Sequence, residues 1–350
     1  MRVSLIIPIY NAEEHIDRCL EYISKQERLP EEIILIDNSS IDHSVNKISS
    51  FIKSNRNLNV ILLHETNKGP GAARNKGLQS ATGGIIVFTD SDCFPRKDWI
   101  KNILAVYENN EIDAIGGTTY IFEPRTISEK IQAIDLCTPK EMPAIVASNK
   151  DEFLLGRVIV TFNGSYKKKV LDAIGSFDES FSIAGEDVDL SIRALENGFK
   201  LLIRHPEIVV WHMPRKSLSL YAKRTFQYRA ALPVLFKKHF KNTAFIELPR
   251  NGFKKFPFFA PLLITKESEI VIFFIILILI FYKYFSTILL ISITVLYLRF
   301  LKGILTRSKS GKINVSLSEA FIMAVYDIFK KIVSECGRVY GSVKSRVIYI

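Results

Sequence analysis

The 350-residue sequence predicts an α/β domain with a mainly parallel central sheet, followed by a helical C-terminal region. Over the first hundred residues, short apolar runs alternate with amphipathic helical patterns, which is typical of a parallel sheet with helices on both faces. Polar clusters directly follow several of these apolar runs. From residue 270 onward the chain becomes strongly apolar, with basic residues on both sides of the apolar stretch.

Hydrophobic periodicity assigns the elements of the first stretch. The predicted strands are residues 3–8, 32–36, 58–63 and 85–89, and the predicted helices are residues 12–25, 45–52 and 71–80. In open parallel sheets, ligands bind beyond the carboxyl ends of the strands. The polar clusters stand at those ends, so they are the first candidates for a functional site.

The pattern of residues 113–239 is less regular. Short strands are predicted at residues 114–119, 158–162, 201–204 and 208–212, and helices at residues 168–174, 188–197 and 218–239. The last of these helices interleaves aromatic and basic side chains, and no internal repeat is visible.

Composition and charge limit the class of protein. About half of the residues are apolar, which excludes a disordered chain. Residues 1–198 carry a net charge of −7 and residues 199–350 one of +18. The basic half predicts an anionic partner surface, either lipid or nucleic acid, and the basic flanks of the apolar stretch favour lipid. The four cysteines are scattered without a C-x-x-C pair, which argues against a zinc site or disulfide framework and for a reducing cytosolic setting.

The apolar stretch predicts a shallow helical hairpin in a membrane. Residues 270–282 and 284–298 carry no charge, and Lys283 separates them. Thirteen helical residues span only ~20 Å, which is short of a ~30 Å hydrocarbon core. Basic residues flank both ends, so the positive-inside rule places both ends in the cytosol. A buried hairpin of a soluble domain is the alternative.

Two carboxylates follow the predicted strand at residues 85–89. Asp90 and Asp92 stand where both can reach one divalent cation and the phosphate oxygens that it carries. Such hard oxygen ligands suit Mg²⁺ or Mn²⁺. The pattern alone is weak, since Asp187 and Asp189 repeat it, and a solvated turn is the alternative. The position after a buried strand favours a metal–phosphate site.

Asp37 ends another predicted strand, where a carboxylate can accept a hydrogen bond from a base or ribose. The alternative role is an Asx-turn or a helix N-cap. Tyr10 either stacks on a nucleobase or is a half-buried aromatic. The Gly-rich residues 67–75 open a helix, so their backbone amides can meet an anion. They form neither a Walker loop nor G-x-G-x-x-G, and Arg74 among them either binds a diphosphate or holds Asp90 in place.

Two further candidates are ambiguous from the sequence alone. Glu186 and Asp187 precede a predicted helix, and taken alone this placement favours N-capping and pairing with the helix macrodipole over catalysis. His212 follows Trp211 at a strand end, where a lone histidine is more often structural than a metal ligand.

Taken in order, six motifs resemble the family 2 glycosyltransferases, which have the GT-A fold. The motifs are Pro8-Ile-Tyr10-Asn11, residues 36–42, residues 67–77, Asp90-Ser91-Asp92, Gly175-Ser176-Phe177-Asp178-Glu179 and Gly185-Glu186-Asp187. The resemblance covers about residues 1–240. The apolar stretch and Gly337-Arg-Val-Tyr-Gly341 resemble family members with membrane tails.

The resemblance implies an inverting transfer of a sugar from a nucleotide diphosphate to a hydroxyl acceptor, assisted by a divalent metal, Mn²⁺ or Mg²⁺. It implies that Asp37 contacts the nucleoside and Asp90 the ribose or sugar. It makes Asp92 and His212 metal ligands, and Asp187 the general base with Glu186 beside it. The substrate-binding residues that it implies are Pro8, Tyr10, Asn11, Asp37, Asn38, Arg74, Asp90 and Asn163.

Two positions depart from the pattern of the family. Asn38 and Ser39 replace the commoner Asp-Gly, which leaves the preferred base open. Lys167 and Lys168 stand where basic residues, often arginine, follow the Asn163-Gly164 segment.

Four segments are therefore expected. They are a GT-A type nucleotide-binding catalytic domain at residues 1–240, a basic and aromatic linker at 241–268, a membrane hairpin at 269–301 and an amphipathic helical segment at 302–350. Within the last segment, residues 316–334 place apolar side chains on one helical face. This face lies on the membrane surface or packs on the catalytic domain, and we favour the membrane surface.

The expected function is a membrane-associated transferase, of hexosyl type, that builds a cell-surface glycan or lipid-linked saccharide. Its catalytic domain is expected on the cytoplasmic side of the cell membrane, with membrane lipids as partners and no nucleic acid. A degenerate, non-catalytic sugar-nucleotide-binding membrane protein is the first alternative, against which the intact Asp90, Asp92 and Asp187 argue. A nucleotidyltransferase is the second, and the sequence lacks the N-terminal Gly-rich phosphate loop that it would need.

Overall fold

The computed structural model divides the protein into two compact units. The first unit comprises residues 1–123 and 136–214, and the second comprises residues 124–135 and 215–350. The structure describes residues 1–136, 144–151, 157–181, 184–240, 243–248, 252–257, 262–264, 285–310, 313–345 and 348–349.

A mixed sheet forms the centre of the first unit. Its described strands are β1 Val3–Ile9, β2 Glu32–Asp37, β3 Val60–His64, β4 Ile85–Thr89, β5 Cys93–Pro95, β6 Ala114–Ile121, β7 Ile145–Ala147, β8 Asn163–Lys167 and β9 Leu201–His212. Their order is β3-β2-β1-β4-β8-β6-β9-β5, and β7 also pairs with β9. Strands β3, β2, β1 and β4 are mutually parallel, and β6 is parallel to β9. Strand β8 runs antiparallel between β4 and β6, so the prediction of a mainly parallel sheet holds only for the N-terminal half.

Ten helices are described over the two units. They are α1 Ile16–Ser24, α2 Ser44–Ser54, α3 Pro70–Ser80, α4 Trp99–Asn109, α5 Ile127–Leu136, α6 Lys168–Ile174, α7 Glu186–Glu196, α8 Leu218–His239, α9 Phe285–Ser310 and α10 Leu317–Ser345. The predicted helices at residues 168–174 and 218–239 agree with α6 and α8 at both ends.

The sheet is buried on both faces, as the continuous apolar runs predicted. All six residues of β2 and all five of β4 are buried. Helix α3 packs especially close to the sheet, because a Cβ atom added at Gly77 would lie 2.7 Å from Ile6 Cγ2 and 2.9 Å from Ile36 Cδ1. Only glycine allows this approach, which fixes α3 against β1 and β2.

Two strand predictions were wrong in detail. Residues 158–162 form no strand; a turn with Asn163 N bonded to Val160 O at 3.2 Å precedes β8 instead. The two strands predicted at residues 201–204 and 208–212 are one strand, β9. Its pairing with β6 shifts register around Gly117, and Arg204 adopts a φ of 60°. A bulge of this kind breaks the apolar alternation that the sequence assignment depends on.

The second unit contains helices α5, α8, α9 and α10 and a small sheet. The strands of the sheet are β10 Thr243–Leu248, β11 Gly252–Pro257, β12 Leu262–Ile264 and β13 Ile348–Tyr349, in the order β11-β10-β12-β13. Residues 241–268, which were expected to be a linker, contribute three of these strands.

Helices α8 and α10 pack backbone against backbone. A Cβ atom added at Gly337 would lie 2.5 Å from Phe226 O, and one at Gly341 would lie 2.3 Å from Ala230 O. The two glycines are four residues apart and therefore share one helical face. A spacing of small residues of this kind lets two helices approach closely.

The predicted membrane hairpin falls mostly outside the described residues. Residues 265–284 are not described, and residues 285–298 form the first half of α9. No helix among the described segments is long and apolar enough to cross a membrane. The hairpin stays a prediction.

We expect Gly341→Ala to destabilise the second unit, because the added methyl group must displace the backbone of α8. Overpacking of this kind costs about 1–3 kcal/mol. Gly303→Ala in α9 is the matched control, since a Cβ atom there meets nothing within 4 Å. Replacing a helical glycine should instead stabilise the protein by about 0.5–1 kcal/mol. Thermal unfolding of the two variants should move in opposite directions; a common direction would contradict the packing described here.

Candidate active site

The predicted carboxylates lie at one edge of the sheet. Asp37 is the last residue of β2, and Asp90 and Asp92 follow the end of β4. Both strands pair in parallel with β1, so their carboxyl ends meet at the same edge. The topology thus brings these residues together as the sequence predicted.

Asp37 is held in place by two donors. Its side chain is buried and accepts a hydrogen bond from Ser40 N at 3.1 Å. The Nδ1 atom of His64 lies 2.9 Å from Asp37 Oδ2. His64 ends β3, directly beside Asp37 in the register of the two strands, and it is well exposed. The sequence analysis missed His64, although its position at the end of the predicted strand 58–63 was a signal.

The turn after Asp37 is fixed by the Asn38 amide. The nitrogen of this amide donates to Glu65 O at 3.0 Å and to Asn67 O at 2.7 Å, and its oxygen accepts from Gly69 N at 3.0 Å. Asn38 therefore organises the loop that leads into α3. Ser39 adopts a φ of 64°, which lies in the left-handed region that glycine populates more readily than other residues. A glycine at this position would adopt the same φ without strain.

The Arg74 guanidinium connects three elements. It lies in the first turns of α3, is 2% exposed, and donates to Asp90 Oδ1 at 2.8 Å and to Glu186 Oε1 at 2.9 Å. Burial opposes the charge, but the attraction of Asp90, Glu186 and Asp187 outweighs it and raises the pKa of Arg74. The contact with Asp90 corresponds to the second of the two roles that the sequence left open for Arg74.

Neighbouring contacts fix the segment that precedes α7. The Asn75 amide donates to Phe177 O at 3.0 Å and to Glu179 Oε1 at 2.8 Å, and it accepts from Phe177 N at 2.8 Å. Arg193 in α7 bonds Ile174 O at 2.7 Å and the buried Asp189 at 2.8 Å. Two motifs that are a hundred residues apart in the chain are therefore parts of one structure.

Glu186 and Asp187 open α7 but do not cap it by their side chains. The N-cap is Gly185, with a φ of 105°. Asp187 Oδ1 accepts from Val188 N at 2.8 Å. Burial, and then the charge of Glu186, raise the pKa of Asp187 to about 7, although Arg74 opposes the shift. One oxygen of Glu186, Oε2, is buried and has no hydrogen-bond partner in the described part of the chain.

Asp92 and His212 form a second cluster at the same edge. The Nε2 atom of His212 lies 3.6 Å from Asp92 Oδ1. The Nδ1 atom of His212 lies 2.6 Å from Met213 O, a carbonyl oxygen that can only accept, so the ring proton is on Nδ1. The other ring nitrogen, Nε2, therefore faces Asp92 and is the atom of His212 that could ligate a metal.

The donor set of this cluster fits a hard or borderline divalent cation. One carboxylate oxygen, one imidazole nitrogen and the Cys93 sulfur lie within 4.8 Å of one another. Burial raises the pKa of the Cys93 thiol well above its ordinary value, so the sulfur stays protonated and is a poor ligand. The carboxylate and imidazole suit Mn²⁺ or Mg²⁺.

The remaining predicted residues differ in their exposure to solvent. Tyr10 is 61% exposed and Asn11 is exposed, whereas Pro8 is half-buried within β1. Asn163 is 1% exposed, and its amide accepts from Trp99 Nε1 at 2.9 Å and donates to Thr118 O at 2.9 Å. A buried amide with these partners joins α4 to the sheet, so the placement of Asn163 speaks for a structural role rather than the expected substrate contact.

The α/β fold with its mixed sheet is similar to the fold of the GT-A glycosyltransferases. The family model of glycosyl transferase family 2 matches residues 4–175. A family 2 glycosyltransferase domain therefore lies within residues 4–175, and the similarity to named glycosyltransferases supports a nucleotide-sugar glycosyltransferase function, as the sequence predicted.

Two archaeal proteins are similar to this chain over most of their length. Glycosyltransferase AglE of Haloferax volcanii is 29% identical over 226 residues, which cover 63% of this chain and 70% of that protein. The second is the dolichyl N-acetyl-alpha-D-glucosaminyl phosphate 3-beta-D-2,3-diacetamido-2,3-dideoxy-beta-D-glucuronosyltransferase of Methanococcus voltae. It is 26% identical over 248 residues, 69% of this chain and 75% of that protein.

Two solved structures share the fold. The mannosyltransferase PcManGT of Pyrobaculum calidifontis, in complex with GDP-Man and Mn²⁺, superposes with a TM-score of 0.56 at 18% identity. The match covers 99% of this chain and 87% of that one. Residues 1–349 of TarS of S. aureus, in complex with UDP, give a TM-score of 0.50 at 20% identity over 69% of this chain and 72% of that one.

The raised pKa of Asp187 predicts a pH-dependent cost to stability. Between the ordinary value near 4 and about 7, the unfolded carboxyl is ionised while the folded one retains its proton. The folded state binds more protons in this window, so its stability falls as the pH rises. Asp187→Asn cannot titrate. We therefore expect the melting temperature of this variant, measured relative to that of the wild type, to increase from pH 5 to pH 7.

The exposed Asp172, changed to Asn, is the control and should follow the wild type at every pH. A constant difference between Asp187→Asn and the wild type over the whole range would contradict the raised pKa.

Proposed function

We propose that the protein is an inverting, metal-assisted transferase that moves a hexosyl unit from a nucleotide diphosphate sugar to an acceptor hydroxyl. The observation that carries this proposal is the Arg74 bridge. It holds Asp90, from the end of β4, together with Glu186, the residue before Asp187. A candidate donor-binding carboxylate and a candidate base are thereby fixed at one place.

The nucleoside end of the donor is assigned to the edge formed by β1, β2 and β3. Asp37, oriented by Ser40 N and His64, accepts hydrogen bonds from the base or ribose. The exposed ring of Tyr10 is available to stack on the base. Asn38 contributes by shaping the loop beside Asp37, since its own amide is engaged with that loop.

Asp92 and His212 are assigned to the metal, Mn²⁺ or Mg²⁺. When bound, the cation neutralises the charge that develops on the departing diphosphate. Residues 1–198 have a net charge of −7, so an anionic donor needs a cation to approach their carboxylates. The contact of His212 Nδ1 with Met213 O orients the ring so that Nε2 lies beside Asp92.

Asp187 is assigned as the general base. The acceptor hydroxyl must lose its proton as it attacks the anomeric carbon, and a single displacement inverts the configuration there. A carboxylate with a pKa of about 7 is well matched to this task near neutral pH. Glu186 and Arg74 set this proton affinity from opposite sides, because Glu186 raises the pKa of Asp187 and Arg74 lowers it.

The acceptor is assigned to the class of lipid-linked saccharides, in the assembly of a cell-surface glycan. The support is the name of the Methanococcus voltae relative, which describes transfer to a dolichyl-linked sugar phosphate. The work would take place on the cytoplasmic face of the cell membrane, with lipids and no nucleic acid as partners. A degenerate, non-catalytic binding protein is disfavoured by the ordered contacts of Asp90, Glu186 and Asp187.

The proposal is tested with a panel of nucleotide sugars that includes GDP-mannose and UDP-N-acetylglucosamine. Release of the nucleotide diphosphate is measured with and without Mn²⁺, and the product's anomeric configuration is read by NMR. Metal-dependent turnover of one donor with inversion supports the proposal. Retention of configuration, or turnover that does not depend on metal, contradicts it.

We expect Asp187→Asn to lower the transfer rate by ~10²–10⁴-fold while donor affinity survives, because the change keeps the shape and removes the base. The wild-type rate should rise with pH through about 7, and the variant should lose this dependence. Steady-state kinetics and donor titration measure the two effects. Asp172→Asn serves as control, and near-normal turnover of Asp187→Asn would leave the mechanism without its base.

We expect Asp92→Asn to remove the gain in nucleotide diphosphate affinity that Mn²⁺ gives to the wild type. The carboxylate that would bind both the metal and, through it, the diphosphate is lost. Without metal, the wild type and the variant should bind alike. Calorimetric titration with UDP and GDP, each with Mn²⁺ or with a chelator, measures this; the same metal dependence in both proteins would remove Asp92 from the metal site.

A further inference from the structure

Helix α10 has the opposite polarity to a helix on the surface of a water-soluble domain. Between residues 317 and 344, every exposed side chain except Ser318 and Lys344 is apolar or aromatic. These residues are Leu317, Phe321, Ile322, Val325, Phe329, Ile332, Cys336, Val339, Tyr340 and Val343. We call them the outer face of α10.

Several polar residues of α10 are buried inside the second unit. Asp327, Ser334, Arg338 and Ser345 are all buried. Lys330 bonds Asp135 in α5 at 2.6 Å. In a soluble domain the apolar stripe of a helix faces the core and the charged residues face water. In α10 the exposed face is apolar although several charged and polar residues are buried, which is typical of a helix whose outer face contacts an apolar surface.

The outer face is too large to be an incidental patch. Its members run from residue 317 to residue 343, which is ~40 Å of helix. Their exposed fractions range from 42% at Phe321 to 74% at Val343. Monomeric soluble proteins rarely expose contiguous apolar patches beyond a few hundred Å². A face of this size is typical of a surface that contacts a membrane or a protein partner.

We propose that the outer face of α10 lies in the surface of a lipid bilayer, with its apolar side chains at the boundary between headgroups and acyl chains. Two properties of the face favour lipid over a second copy of this chain. The first is composition, since Ser318 and Lys344 are the only polar residues among the exposed ones of this helix, whereas protein interfaces surround an apolar centre with polar residues. The second is charge, since residues 199–350 carry +18 and anionic headgroups complement them.

The spacing of the face allows a coiled-coil partner but does not select one. Ile322, Val325, Phe329, Ile332, Cys336, Val339 and Val343 follow the alternating three- and four-residue spacing of a heptad seam. Paired helices fix partner and register with charges beside such a seam. Here the flanking positions carry mostly apolar residues such as Ile328 and Val333, and Glu335 bonds Arg338 on its own helix. The described residues of α10 therefore lack the flanking charges that would select a partner helix.

Cys336 offers a direct test, because it is exposed on the outer face while Cys19 and Cys93 are buried. The full-length protein with Cys137→Ser is labelled at Cys336 with an environment-sensitive fluorophore. Vesicles of phosphatidylcholine, with or without phosphatidylglycerol, are then added. We expect severalfold brighter emission, protection from iodide, and quenching by a lipid-phase quencher, all stronger with phosphatidylglycerol. A label at Asn110→Cys in a background with Cys137→Ser and Cys336→Ser is the control and should stay in water.

A second variant tests the same surface without a label. Val325→Asp combined with Ile332→Asp places two charges on exposed positions, so the fold should be retained, as circular dichroism will show. Vesicle partitioning should fall by about tenfold or more, and the matched change Val146→Asp on β7 should have no effect.

Three results would overturn the proposal. The Cys336 label could stay accessible to iodide on protein that has bound vesicles, or the double variant could partition like the wild type. Alternatively, the label could become shielded in the absence of lipid as the protein concentration rises. The wild type would then form dimers, and the double variant would be monomeric. This last outcome would make the outer face a self-interface.

Discussion

The buried guanidinium of Arg74 is the constraint on which the rest of the site depends. A cation that is 2% exposed is tolerable only if its charge is matched, and Asp90 and Glu186 supply the match from two different elements. The end of β4, the start of α3 and the start of α7 are thereby held together by charge. Gly77 keeps α3 close enough to the sheet for Arg74 to reach both partners.

Around this bridge, the site is assembled mostly from side chains that bind backbone. Asn38 fixes the loop before α3, Asn75 fixes the segment at residue 177, and Arg193 fixes the turn at residue 174. Amides and guanidinium groups can satisfy several backbone groups at once, so each of them determines the course of a loop. The carboxylates that we propose to contact substrate therefore lie on loops and helix ends that these other side chains hold in place.

The sequence allowed the N-terminal half to be predicted well because its elements are regular. Continuous apolar runs identified β1, β2 and β4, and parallel pairing then placed Asp37, Asp90 and Asp92 at one edge without further information. The prediction failed where tertiary contacts decide. The antiparallel insertion of β8 and the bulge in β9 have no local signature, and the burial of Asn163 depends on Trp99 from a distant helix. The contact between Asp37 and His64 could have been predicted from the sequence, because both residues end adjacent strands.

The pair formed by Asp92 and His212 is held by the main chain as well as by side chains. Met213 N donates to Asp92 O at 2.9 Å, and β5 and β9 place Cys93 opposite His212. Because hydrogen bonds of the sheet build this cluster, it does not need an ion to assemble it. The proposed metal would therefore enter a site that is already assembled, unlike the ion of small domains that fold only around it. Under that proposal, the occupancy of the site would follow the concentration of free divalent ions around the enzyme.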